Sequence, residues 1–194
     1  MAQRTTTDVE IEGRRLTLSN LEKVLYPEAG FTKAQLIDYY VRIAPVLLPH
    51  LRGRPLTMKR YPDGVDGELF YQKNCPDHRP QWLATARVWS EGNKKWMDYC
   101  MVEEVAALVW AANLADIELH TSLSLAKDIL QPTMIIFDLD PGEGASLVTC
   151  AEVPFFCDHC LRTKGCNCSR RSPGLLCRRH TRPGRSHGRL GCSY

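Results

Sequence analysis

Residues 102–120, VEEVAALVWAANLADIELH, place a helix directly before a strand, and this pair decides the fold class. The alanine-rich apolar run predicts a buried helix, and DIELHTS after it predicts a strand. The next apolar run, TMIIFDLD at residues 133–140, predicts a second strand. Strands that follow a helix in this way indicate a mixed domain of the α/β or α+β class.

Upstream of this pair the sequence predicts one long helix and further strands. A threonine cap opens the segment FTKAQLIDYYVRIAPVLLPHL, whose apolar residues recur near helical spacing, and Pro45 should kink it. Strands are predicted for RPLTMKRYP and ELFYQKN around the DGVDG turn. A hairpin is predicted for ARVWSEGNKKWMDYC, with its tip at Glu91–Lys94. We expect residues 1–13 to be flexible, and TLSNLEKVLYPEAG to form a short helical turn or a loop.

The composition divides the chain near residue 153. Residues 1–150 hold 16 Lys+Arg and 20 Asp+Glu, whereas residues 151–194 hold 9 and 2, together with six of the nine cysteines. Residues 154–194 lack a helical or strand period and offer little to bury, which predicts disorder. The sequence has neither a run of 18 apolar residues nor an apolar leader. It therefore predicts a cytoplasmic protein with no membrane partner, whose cysteines are thiols or metal ligands.

Asp138 and Asp140 stand two residues apart at the end of the predicted strand TMIIFDLD. Alternate residues of a strand point to the same face, so the two carboxylates should project side by side, with Leu139 turned into the core. Such a pair can hold one or two Mg²⁺ or Mn²⁺ ions, and a metal pair supports phosphoryl or nucleotidyl transfer. The simpler alternative is two solvated aspartates that lead into a turn.

His120 ends the segment DIELH. If DIELH and IIFDLD pair side by side, the imidazole lies near the two carboxylates and can meet a triphosphate. A lone histidine after an apolar strand is also common as a core or rim residue, and the sequence alone leaves both alternatives open.

Basic residues concentrate between residues 20 and 61, where the chain has seven basic and three acidic side chains. This excess makes the segment a candidate for phosphate contacts. Phe70 and Tyr71, beyond the DGVDG turn, are candidates to stack on a base. The alternative is a solvated helix face with ordinary core aromatics. The candidate phosphate contacts are Lys23, Lys33, Arg52, Arg54, Lys59 and Arg60.

In this order, the segments resemble the polymerase domain of bacterial DNA ligase D. That family belongs to the archaeo-eukaryotic primase superfamily and acts in non-homologous end joining. The matching segments are LSNLEKVLYPEAGFTKAQLIDYY, RPLTMKRYPDGVDGELFYQK, VEEVAALVWAANLADIELH and FDLDPGEGA. They cover about residues 14–153. The resemblance implies the N-terminal part of an α+β primase–polymerase core of the RRM-like type, with the acidic strand near the middle of a sheet.

The resemblance also implies a role for each matching residue. Asp138 and Asp140 would be catalytic and would hold divalent metal, usually Mn²⁺ and otherwise Mg²⁺, with an NTP or dNTP as the substrate. The implied partners are double-stranded DNA ends, ligase and nuclease modules and a Ku-type end-binding protein, in the nucleoid region of a bacterial cytoplasm. The other implied roles are nucleotide binding for His120, Lys59 and Arg60, binding of a DNA 5′-phosphate for Lys23 and Lys33, and template stacking for Phe70 and Tyr71.

The resemblance stops just after CAEV, residues 150–153. The family continues with a Ser/His nucleotide-binding segment, GL…FPKTSGxKGLH, and later with a third metal-binding carboxylate, neither of which is recognisable here. A shifted reading frame can be tested from the protein sequence alone, by joining the third base of each codon to the first two bases of the next codon. The codons that result permit Leu-Arg-x-Leu and then Gly-Leu-Gln-Leu-Phe-Pro-Lys-x-Ser-Gly. This order matches the missing segment except for its threonine, so we interpret the tail as out-of-frame translation. The alternatives are a naturally divergent tail and a zinc knuckle on Cys157, Cys160, Cys166, Cys168, Cys177 and His180.

The expected activity is template-directed nucleotidyl transfer at DNA ends, in which a primer 3′-hydroxyl attacks the α-phosphate of a nucleotide. Because the Ser/His segment and the third carboxylate are missing from the match, we expect catalysis to be impaired. Three alternatives remain: a non-enzymatic fragment that binds DNA ends, a protein with a zinc-binding tail, and a pseudogene product without function.

Overall fold

The computed structural model describes residues 5–134, Ile136, Ser146 and Val148, and the strand backbones of residues 138–141 and 175–178. The chain forms two compact units, Met1–Met134 and Ile135–Tyr194. The division therefore falls earlier than the composition break near residue 153.

A hairpin opens the first unit. Strands β1 (Thr6–Ile11) and β2 (Arg14–Ser19) pair antiparallel through the two-residue turn Glu12–Gly13. Both turn residues have positive φ, 51° and 77°, as the tight turn of a two-residue hairpin requires. The prediction that residues 1–13 are flexible is therefore wrong for Thr6–Ile11, which form β1. Its residues are polar and largely exposed, so the sequence resembles that of a loop.

Two short strands, β3 (Val24–Tyr26) and β4 (Phe31–Thr32), pair where the sequence predicts a turn or loop. Helix α1 (Lys33–Leu51) follows, and Thr32 caps it as predicted. The Thr32 hydroxyl accepts the Gln35 N–H, while the Thr32 N–H donates to Gln35 Oε1 at 2.7 Å. The helix continues through Pro45, and no described helix is both long enough and apolar enough to cross a membrane. Its buried apolar residues confirm the predicted period: Leu36, Ile37, Tyr40, Ala44, Leu48 and Leu51.

Five strands form the main sheet of the first unit, and every pairing among them is antiparallel. The central strand pairs directly with three others. One of these three belongs to the predicted hairpin, and the other strand of that hairpin lies at an edge of the sheet. These strands confirm the predicted ones. They are β5 (Pro55–Arg60), β6 (Phe70–Gln72), β7 (Thr85–Ser90), β8 (Lys95–Met101) and β9 (Asp116–Thr121), with β6, β8 and β9 all paired to β5.

The core lies between this sheet and the two helices. Helix α2 (Val105–Asn113), which the sequence predicts, is buried along most of its length and packs on α1. Leu56 and Met58 of β5 join the same core. Because residues alternate along a strand, Thr57 and Lys59 point to the opposite face of the sheet. That alternation positions the candidate site.

A disulfide bond joins Cys75 to Cys100 of β8, and both residues are buried. The Cys75 N–H also donates to the Asp98 carbonyl at 2.6 Å, so the segment after β6 is tied to β8 twice. These two cysteines therefore form a disulfide, whereas the sequence predicts thiols or metal ligands.

The second unit contains one described pair of strands, β10 (Asp138–Pro141) and β11 (Leu175–Arg178), which are antiparallel. One expectation is therefore wrong among the described strands, because the acidic strand lies in a two-stranded sheet rather than near the middle of a larger one. The pairing of β9 was left open by the sequence, and the structure pairs β9 with β5. The sequence also missed β11, because an apolar run of this length is too short to stand out in a basic tail. The predicted disorder and the zinc knuckle otherwise fall outside the described residues.

Candidate nucleotide and DNA-end site

The predicted basic pair on β5 divides between the two faces of the sheet. Lys59 lies opposite Tyr71 on β6, and Arg60 lies opposite Phe70. Lys59 Nζ is 5.7 Å from the centre of the Tyr71 ring, and the Arg60 guanidinium is 5.0 Å from that of Phe70. Directly opposed residues share a face and successive residues alternate. Lys59 and Tyr71 therefore occupy one face, and Arg60 and Phe70 the other.

A carboxylate that the sequence interpretation missed lies at the centre of the Lys59 face. Glu118 on β9 is directly opposite Lys59, and its Oε1 accepts from Lys59 Nζ at 2.6 Å and from the Tyr61 hydroxyl at 2.5 Å. His120 Nε2 is 3.2 Å from Glu118 Oε2, and its ring meets the edge of Tyr71, with centres 5.5 Å apart. We call Lys59, Tyr61, Tyr71, Glu118 and His120 the outer-face cluster. The Glu-x-His spacing on one strand was the sequence signal for it.

The outer-face cluster is electrostatically balanced around Glu118. The hydrogen bond from Lys59, helped by that from Tyr61, lowers the pKa of the Glu118 carboxyl to about 2. The same contact with Glu118 raises the pKa of Lys59 above its ordinary value, while burial raises the pKa of Tyr61. At neutral pH the Lys59–Glu118 ion pair therefore adds no net charge to the cluster.

Arg60 is held by structural contacts on the other face. Its Nε donates to the Leu114 carbonyl at 2.9 Å, and its Nη1 donates to Gln72 Oε1 at 2.6 Å. Opposite it lies Asp116, which is fully buried and whose carboxylate oxygens accept no hydrogen bond from the described residues. Burial raises the pKa of Asp116 to about 8, although the positive charge of Arg60 opposes that rise. The structure therefore does not bring Arg60 together with His120.

The two lysines predicted to bind a 5′-phosphate have different environments. Lys23 is partly exposed, and its Nζ donates to Asp63 at 2.6 Å. Lys33 is buried, and its Nζ donates to the carbonyls of Ser19 at 2.7 Å and Asn113 at 2.9 Å. The Lys33 N–H also donates to the Lys23 carbonyl, which joins the two segments. The ammonium group of Lys23 is thus accessible to solvent, whereas that of Lys33 is buried and donates to backbone carbonyls.

Arg52 and Arg54, the other candidate phosphate contacts, also bind within the first unit. Arg52 Nε donates to the Glu103 carbonyl at 3.1 Å. Arg54 is buried and donates to Thr133 Oγ1 at 2.8 Å. Both guanidinium groups therefore make contacts that support the loop between α1 and β5.

Asp138 and Asp140 both belong to β10, two residues apart as the sequence predicts. Carboxylate oxygens are the ligands that Mg²⁺ and Mn²⁺ prefer, so this donor pair fits the metal that the resemblance implies. Among the side chains that the structure describes, which do not include these two, no three His, Cys, Asp or Glu residues come close enough to hold a metal ion.

Known proteins match this chain over most of its length. The family model of the LigD primase-polymerase domain matches residues 32–174. This match extends past the domain boundary that the sequence predicts at residue 153. The multifunctional non-homologous end joining protein LigD of Mycolicibacterium smegmatis is 39% identical over 141 residues, 72% of this chain and 18% of that protein. The bifunctional LigD protein of Bacillus subtilis is 31% identical over 127 residues, 66% of this chain and 20% of that protein. The chain thus spans about a fifth of the length of these relatives.

A solved structure shares the fold. The polymerase domain of Mycobacterium tuberculosis ligase D, in complex with DNA, superimposes with a TM-score of 0.65 and 36% identity, over 73% of this chain and 51% of that one. This likeness confirms the predicted α+β class. Because the family model, the relatives and the solved structure each match most of this chain, the chain belongs to the LigD primase-polymerase domain family.

Proposed function

We propose that the chain acts at DNA ends in non-homologous end joining, as part of template-directed nucleotidyl transfer. The observation that carries this proposal is the position of Lys59, Tyr71 and His120 on one face of the sheet, in a chain of this family. A cation, an aromatic ring and an imidazole on one surface suit the phosphates and the base of a nucleotide. The M. tuberculosis polymerase domain, whose structure contains DNA, supports the same partner.

Each group has a distinct part in this proposal. Lys59 and His120 contact the triphosphate, and Tyr71 offers its exposed ring to a base. Phe70 contacts the template from the other face, where Arg60 supports its ring. Asp138 and Asp140 would hold Mn²⁺ or Mg²⁺, which when bound stabilises the charge that develops on phosphate oxygens.

Lys23 is the proposed direct contact for a 5′-phosphate at a DNA end. Its ammonium group is partly exposed, and its exposed partner Asp63 can turn away when a phosphate approaches. Lys33 adds positive charge directly behind this segment, because its backbone N–H is bonded to the Lys23 carbonyl.

Binding to a DNA end tests this role. The chain should bind a duplex with a recessed 5′-phosphate more tightly than the same duplex with a 5′-hydroxyl, as measured by fluorescence anisotropy. Lys23→Ala should weaken binding of the phosphorylated duplex roughly tenfold and lower the salt dependence by about one ion, because one phosphate contact is lost. Lys127→Ala, at an exposed lysine elsewhere in the first unit, serves as the control. Equal affinity for the two duplexes would exclude 5′-phosphate recognition.

Primer extension tests the catalytic part. We expect little or no nucleotide addition by this chain with Mn²⁺, because neither the Ser/His segment nor the third carboxylate is recognisable in its sequence. That polymerase domain is the positive control, on the same primer–template. Extension at a comparable rate would contradict impaired catalysis, whereas DNA-end binding without extension would support a binding fragment.

A further inference from the structure

Glu118 is the residue of the outer-face cluster on which three polar side chains converge. Lys59 and Tyr61 reach one carboxylate oxygen from β5 and its end, and His120 Nε2 reaches the other from two residues along β9. We infer that Glu118 is a positioning residue that holds the proton of His120 on Nε2, so that the Nδ1 edge of the ring is the one that meets a ligand.

The argument for the tautomer is geometric. An ionised carboxylate can only accept hydrogen bonds, so a ring nitrogen that bonds to it must carry a proton. Lys59 keeps Glu118 ionised, in line with its lowered pKa, and the two donors to Oε1 restrain rotation of the carboxylate. Since Glu118 and His120 are two residues apart on one strand, their side chains share a face. The contact is therefore a consequence of the local Glu-Leu-His sequence.

This tautomer limits what His120 can bind. A neutral imidazole protonated on Nε2 has an acceptor at Nδ1, and phosphate oxygens are also acceptors. A phosphate can bond to Nδ1 only when the ring takes a second proton from solvent. The groups around the ring are Glu118 on its own strand, Thr57 opposite it on β5 and Tyr71 on β6. Triphosphate binding at this face should therefore take up a proton, a consequence that rests on the proposed function.

Nitrogen NMR of the full chain, labelled with ¹⁵N in its histidine rings, tests the tautomer without any ligand. The signals of His120 are assigned by their loss in His120→Asn, and the wild type should show the Nε2–H form. In Glu118→Gln the amide oxygen is needed by Lys59 and Tyr61, which turns the amide NH₂ towards His120. The ring should then switch to the Nδ1–H form, a change that a merely structural role would not produce.

Two further variants serve as controls for this experiment. Tyr61→Phe keeps the carboxylate and should keep the Nε2–H form. Asp38→Asn removes a carboxylate from an exposed ion pair with Arg42 on α1 and should leave the His120 signals unchanged. An Nδ1–H form in the wild type overturns the inference, even if Glu118→Gln fails to fold, and so does an unchanged tautomer in a folded Glu118→Gln.

Calorimetry with inorganic triphosphate tests the proton uptake separately. At mildly alkaline pH, the binding heat in two buffers of different ionisation enthalpy should show uptake of up to one proton per bound triphosphate, and His120→Asn should abolish that uptake. Binding without proton uptake overturns this half of the inference. Absence of triphosphate binding overturns the proposed nucleotide role instead, and the tautomer result distinguishes that failure from a failure of the Glu118 assignment.

Discussion

The variant Asp116→Asn is expected to be more stable than the wild type by about 4 kcal/mol near pH 7, and nearly equal to it near pH 4. Burial raises the pKa of this carboxyl from 3.8 to about 8. The folded state therefore keeps a proton that the unfolded chain releases. The stability of the wild type is fully present below the unfolded pKa and is lost as the pH rises through the folded pKa. An amide has no such dependence.

Urea denaturation between pH 4 and pH 8 measures this difference. Asp98→Asn, at an exposed carboxylate on β8, is the matched control and should follow the wild type. If wild type and Asp116→Asn lost stability equally over this range, Asp116 would have a solvated carboxylate, and its burial against Arg60 would be wrong.

Lys33→Met is expected to lower the free energy of unfolding by about 3 kcal/mol, because it leaves the carbonyls of Ser19 and Asn113 without their donor in a buried place. Lys23→Met should change it by less than about 0.5 kcal/mol, since the Lys23–Asp63 pair is largely solvated. Urea denaturation of both variants makes the comparison. A Lys33→Met variant as stable as the wild type would show that Lys33 is available to a DNA phosphate, as its homology alone suggests.

The parts of the fold that depend on local signals could be predicted from the sequence. Thr32 and the spacing of apolar residues after it mark α1, and the Glu91–Lys94 tip marks the hairpin of β7 and β8. The first hairpin escaped prediction because its turn uses Glu12 in the left-handed region, where asparagine or glycine is the usual sign.

The parts that depend on distant partners could not be predicted. Lys33 contacts Asn113, 80 residues along the chain, and Lys59 of β5 lies opposite Glu118 of β9, 59 residues along. Without that information, the sequence left open whether the acidic strand lies beside β9. By contrast, the position of Phe70 and Tyr71 on opposite faces of the sheet could have been predicted. Successive residues of a strand point to opposite faces, and the sequence predicts a strand here.

The most direct measurement of the central claim is photo-crosslinking of the chain with 8-azidoadenosine triphosphate, followed by mass spectrometry that locates each modified residue. If the outer-face cluster binds the nucleotide, crosslinks that unlabelled ATP suppresses should fall on Tyr71 or His120. ATP-suppressed crosslinks confined to residues outside the outer-face cluster would contradict it.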